Sequence, residues 1–116
     1  MSTDSIAKQK SMDFAKRIVK LYQYLHVTHH EYVMSKQILR SGTSIGANIA
    51  EAVYGSSRKD FVAKLQISQK EAAETLYWLE LLNSSGYIPE PLYVSLCGDC
   101  KEILAILTSS IKTSIG

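Results

Sequence analysis

The stretch RSGTSIGANIAEA, from Arg40 to Ala52, decides how the chain is read. Helix-like sequence flanks it, yet it holds Ser41, Gly42, Thr43, Ser44 and Gly46, all poor helix formers. It is either a loop that cradles a ligand or a helix built from small residues for packing. Projected at about 100° per residue, Met34, Ile38, Ile45, Ile49 and Ala52 share one face, a spacing that a loop has no reason to keep. Leu39, Thr43, Gly46, Ala50 and Val53 form a mostly small flank, which lets a neighbouring backbone come close. Gln37, Ser44, Asn48 and Glu51 form a polar seam along the other flank. The stretch therefore reads as helix. Each glycine costs about 1 kcal/mol relative to alanine, and tertiary packing must offset that cost.

A phosphate cradle does not fit. The P-loop pattern needs a second glycine followed by Lys and then Ser or Thr, whereas Gly46 is followed by Ala47 and Asn48. The dinucleotide fingerprint fails as well, because Gly42 and Gly46 are wrongly spaced and no strand precedes them. No cofactor is implied.

Outward from this stretch, helical periodicity continues in every direction. Phe14, Ile18, Leu21, Tyr22 and Leu25 fall on one face; so do Phe61, Leu65, Ala72, Leu76 and Leu79; so do Leu96, Cys100, Ile103, Leu107 and Ile111. His26 to Glu31, Tyr54 to Ser57 and Ser84 to Gly86 break the pattern. Ser57 with Asp60 resembles a capping box and starts a helix at Arg58. Gly86 suits a helix C-cap, and Pro89-Glu90-Pro91 suits the next helix start. Helices are expected at roughly 5–26, 31–54, 58–84 and 91–114, in one domain spanning 1–116. Short connections between helices of similar length predict an all-α, up-and-down antiparallel four-helix bundle with left-handed, coiled-coil-like packing.

The chain has 116 residues, 46% hydrophobic and 21% charged, with a net charge of +2. That suits one soluble domain and does not force a nucleic-acid reading. MSTDSIAKQKSMDF has no apolar signal region, and no run approaches the roughly 18 apolar residues of a membrane span. Two cysteines make no disulfide framework, so a reducing cytoplasm is the expected compartment.

RSGTSIGANIAEA, a Ser-Arg-Lys-Asp-Phe helix start and KEAAETLYWLELL together resemble the bacterial four helix bundle protein family, first noted as products of intervening sequences in 23S ribosomal RNA genes. The resemblance spans about Phe14 to Ile111. It implies an up-and-down bundle that often forms a ring-like homopentamer, with no established enzymatic activity. A related branch, the accessory proteins of diversity-generating retroelements, is similar in fold and binds nucleic acid and a reverse transcriptase.

Candidate sites follow from the patterns. Opposite the core stripe of the third helix lie Ala63, Ile67, Trp78 and Leu81, with Glu74 among them and Tyr77 nearby. A helix apolar on two faces has more to bury than a lone small bundle allows, so Ile67, Glu74, Tyr77, Trp78 and Leu81 are the oligomer-interface candidates. Lys10, Lys16, Arg17 and Lys20, interrupted by Asp13, spread over the outer face of the first helix; repeated around an oligomer they would form a positive ring for RNA or DNA. Arg40, Arg58 and Lys59 are candidates to extend it. Glu51 and Glu74 are the carboxylates of the competing class, a small enzyme with an inter-helix cavity. With no nucleophile or histidine beside them, hydrogen bonds that fix helix register are the preferred reading. His26, His29, His30 and Glu31 invite a metal reading, but His26 and His30 straddle a helix end, and the three ring nitrogens are read as solvated in a mobile loop. Cys97 and Cys100 lack the βαβ setting of a redox CxxC, and Cys100 is read as helix packing. The function expected is a non-enzymatic assembly or binding module, with nucleic acid, a ribonucleoprotein or another protein as partner.

Overall fold

Helix starts and stops in this chain are written in its local hydrogen bonds. The computed structural model describes the backbone of residues 3–115 and the side chains of residues 5–115; Met1, Ser2 and Gly116, counted in the domain above, lie outside the described residues. The described residues form α1 (Thr3–His29), α2 (Met34–Ala52), α3 (Arg58–Ser84) and α4 (Glu90–Ile115), with no strand. Ser57 takes an extended backbone at the start of α3, and its side chain accepts from the Asp60 N–H at 3.1 Å. At the other end Gly86 adopts φ +84°. There its N–H bonds Asn83 O at 3.1 Å while the Tyr87 N–H bonds Leu82 O at 2.9 Å. This is the paired-bond stop that a left-handed glycine permits.

The α1–α2 connection differs from expectation. α1 runs on to His29, and His30 takes φ 52° with no glycine to mark the place. α2 begins at Met34, later than expected, because Glu31 caps it from outside: its carboxylate accepts the N–H groups of Val33, Met34 and Ser35 at 3.1, 3.0 and 2.8 Å. The Ser35 hydroxyl returns a bond to Glu31 O at 2.9 Å. Those N–H groups have no partner inside the helix, so a carboxylate there is doubly suited, as acceptor and as charge at the positive end of the helix dipole. Glu31 is therefore a buried structural group.

The helices pack in the cyclic order α1–α2–α3–α4, each against its chain neighbours and α1 also against α4. Contacts run antiparallel on every seam: Gly42 with Ile18 and Gly46 with Ser11; Ser41 with Thr75 and Glu51 with Lys64; Ala72 with Cys100 and Arg58 with Ser114; Lys10 with Glu102 and Arg17 with Asp99. The result is an all-α, up-and-down four-helix bundle, 44 × 22 × 22 Å. No helix of the described residues is long and apolar enough to cross a membrane.

The core holds Phe14, Ile18, Leu21 and Leu25 from α1, Ile38, Ile45 and Ile49 from α2, Leu65, Ala72 and Leu79 from α3, and Leu96, Cys100, Ile103, Leu107 and Ile111 from α4. Phe61 and Leu76, expected in the α3 stripe, are only half-buried at its edge, and Tyr22 is half-buried in α1. Their core positions on α3 go to Val62, Leu82 and two polar residues, Ser68 and Thr75. The glycines of α2 do let α1 come close. A Cβ on Gly42 would stand 2.9 Å from both γ-carbons of Ile18, and one on Gly46 would stand 3.1 Å from Ser11 Oγ.

Candidate functional surfaces

The polar residues that join helices are not the ones the sequence marks as a seam. Ser44 Oγ donates to Arg40 O at 2.6 Å and Asn48 Nδ2 to Ser44 O at 2.8 Å, both within α2, and Gln37 is exposed. Only Glu51 crosses to α3, accepting from Lys64 Nζ at 3.1 Å. The buried bonds lie one position inward. Thr75 Oγ1 is 2.9 Å from Ser41 Oγ, and Ser68 Oγ donates to Ile45 O at 2.8 Å. The sequence carried a signal for both α3 residues, since Ser68 and Thr75 interleave Leu65, Ala72 and Leu79 at helical spacing.

Arg40 does not join the basic face of α1. Its guanidinium bonds Glu71 at 2.9 Å and also Glu74, and the same Glu74 oxygen accepts the Trp78 indole N–H at 2.9 Å. The Trp78 bond, opposed by burial and joined by Arg40, holds the Glu74 carboxyl below its ordinary range. Glu74 Oε2 is thus shared between Arg40 and Trp78. Glu51 is paired with Lys64, ten residues from Glu74 along α3 or about 15 Å of helix rise. The two carboxylates of the enzyme reading do not share a cleft.

On the outer side of α3, Ile67 is 43% and Tyr77 57% exposed, while Trp78 and Leu81 are half-buried. Tyr77 and Trp78 meet edge to face with centroids 5.0 Å apart. These five candidates form one outer strip, with Arg40 bonded to Glu74 in its middle.

The basic residues of α1 divide into two kinds. Lys10 pairs with Glu102 and Arg17 with Asp99 at 2.6 Å, both on α4. Lys16 and Lys20 are exposed and carry no ion pair among the described residues. Arg58 instead donates to Ser114 O at 3.1 Å, tying α3 to the end of α4.

The histidines sit in an aromatic cluster. His26 lies between Tyr22 and Tyr32 with centroids at 4.1 and 4.9 Å, and its buried Nε2 has no hydrogen-bond partner among the described residues. His30 Nδ1 is 3.2 Å from Tyr32 Oη. His29 Nε2 is 3.1 Å from Tyr24 Oη, and its ring is edge-on to Tyr87 at 5.4 Å. Among the described residues no group of three or more His, Cys, Asp or Glu is placed to hold a metal ion. Cys97 and Cys100 are free and buried, and burial pushes the Cys100 thiol up to about 12.

The family described as 23S rRNA-intervening sequence protein matches residues 3–109. The chain belongs to that family. A solved relative from the S23 ribosomal protein family of Bacteroides thetaiotaomicron, described as a protein with unknown function, is 55% identical. The match covers 96% of this chain and 99% of the relative, with a TM-score of 0.95. None of the curated proteins matches the chain. What these matches establish for the chain is its family and its fold.

Proposed function

We propose that this member of the family is a non-enzymatic assembly module: a homo-oligomer whose outer surfaces, not a pocket, do its work. The observation that supports this best is the outer strip of α3. Its core face is already filled, yet Ile67 and Tyr77 stand exposed beside Trp78 and Leu81, and aromatic side chains of this kind anchor interfaces between subunits. The sequence resemblance favours a homopentamer. Free thiols suit a cytoplasmic setting.

The partner we favour is RNA or DNA, alone or in a ribonucleoprotein, met through the α1 face. Lys16 and Lys20 are the cations available to it, while Lys10 and Arg17 are partly neutralised by α4. The separation of Glu51 from Glu74 weighs against the enzyme alternative.

Two measurements test the proposal. Native mass spectrometry should give a fixed multiple of the chain mass, and Ile67→Asp should release monomers that keep the helical content of the parent. A monomer at every concentration overturns the assembly reading. Labelled RNA or DNA should bind at low salt and weaken when Lys16 and Lys20 become Glu; no binding at low salt removes the nucleic-acid reading.

A further inference from the structure

α1 and α4 do not close fully along their seam. Beside the Arg17–Asp99 pair they leave a groove of about 390 Å³ lined by Arg17, Lys20, Leu21, Tyr24, Leu92 and Leu96. Its floor is leucine, two cations stand on its wall, and the Tyr24 ring closes one end. Beyond Tyr24 the rings continue: Tyr24 is edge-on to His29 at 5.2 Å, and His29 to Tyr87 at 5.4 Å. Among the described residues the acid paired with a lining residue is Asp99, through Arg17; Lys20 has none. An apolar floor, an aromatic edge and unneutralised positive charge within one short groove match the chemistry of an unstacked base with its phosphate. A duplex hides its bases and meets only charge, so it has no use for the floor.

We propose that this groove takes one nucleotide of single-stranded RNA or DNA. The phosphate sits on Lys20 and Arg17, and the base lies on Leu21, Leu92 and Leu96 against Tyr24. This rests on the nucleic-acid reading above and sharpens it to single strands. The geometry also makes Asp99 a brake: its carboxylate occupies the guanidinium that a phosphate would use, and its own negative charge repels the ligand.

The test is fluorescence anisotropy with short end-labelled poly(U), poly(dT) and a duplex, on the whole protein. Tyr24→Ala should weaken single-strand binding on the order of ten-fold and leave duplex binding unchanged. Tyr24→Phe, which keeps the ring, should bind as the parent does. Asp99→Asn should tighten single-strand binding, a gain that a merely destabilised protein does not give. A difference between poly(U) and poly(dT) would report contact with the 2′-hydroxyl or with the thymine methyl, and equal binding would leave the shared base face and phosphate as the recognised groups; both agree with the proposal. If the parent binds nucleic acid but Tyr24→Ala and Asp99→Asn change nothing, the groove is not the site, although the nucleic-acid reading survives. If no nucleic acid binds at low salt, both fall.

Discussion

Thr75 Oγ1 lies 2.9 Å from Ser41 Oγ across the α2–α3 seam, with both residues fully buried. Thr75 also reaches Glu71 O at 2.8 Å, whereas Ser41 has only a long 3.5 Å contact to Ile38 O besides. The pair is therefore asymmetric. Thr75→Val strands the Ser41 hydroxyl and should cost about 1–2 kcal/mol; Ser41→Ala leaves Thr75 bonded to Glu71 and should cost less. The double variant should cost less than the sum of the two, as read from denaturant melts in a double-mutant cycle. Strict additivity would show that the two hydroxyls are not coupled.

The glycines should divide by what their absent Cβ would meet. Gly42→Ala drives a methyl into both branches of Ile18 and should destabilise the bundle by about 1–3 kcal/mol, less the helix propensity gained. Gly46→Ala meets a serine hydroxyl at 3.1 Å and should cost less than Gly42→Ala. At Gly98, inside α4, a Cβ meets nothing within 4 Å. Gly98→Ala should stabilise by about 0.5–1 kcal/mol, raising the melting temperature by a few degrees. A reversed order between Gly42 and Gly98 would contradict the packing described.

Glu31 gives the fold an acid-sensitive joint. Burial pushes its carboxyl up, but the N–H bonds from Ser35, Met34 and Val33 outweigh it and hold the group below its ordinary range. A carboxyl lowered in the folded state adds stability above its unfolded value, and that stability is lost as pH falls through the folded one. Glu31→Ala should therefore cost about 1 kcal/mol near neutrality. The gap between parent and variant should narrow on acidification. A gap independent of pH would mean that the carboxylate charge is not what caps α2.

The two thiols should be inert in the folded protein. Both side chains are buried, and burial raises both thiols, Cys100 to about 12. A thiol reagent should modify them only on the timescale of unfolding. Fast labelling of either cysteine in the native protein would show that α4 is less closely packed than the structure has it.

The bundle was legible because its apolar spacing is regular. Every residue of the α4 stripe from Leu96 to Ile111 is buried, and the α2 glycines were rightly read as helix. Capping was legible where it follows residue type, at Ser57 and Gly86. It was hidden at His30 and Glu31, where a non-glycine takes the left-handed backbone and a cap acts from outside the usual position. The polar pairs were the least legible. Residue type shows that Glu51 and Glu74 are acids, but only the register of α2 on α3 assigns Lys64 to one and Arg40 to the other. That register likewise turned Ser41, Ser68 and Thr75 into core residues, although hydrophobicity alone gave them no such place.

The polar ties of the seams are of different kinds. Between α2 and α3, Thr75–Ser41 and Ser68–Ile45 are neutral and buried, and sliding either helix by one turn, about 5.4 Å, would break both together. Between α1 and α4 the ion pairs among the described residues are Lys10–Glu102 and Arg17–Asp99, both solvent-exposed, and dissolved ions weaken such pairs. Mechanically the molecule is then a stiff hairpin with a clasp: raised ionic strength loosens the clasp first, and amide exchange at the α1–α4 seam should quicken before the α2–α3 spine responds.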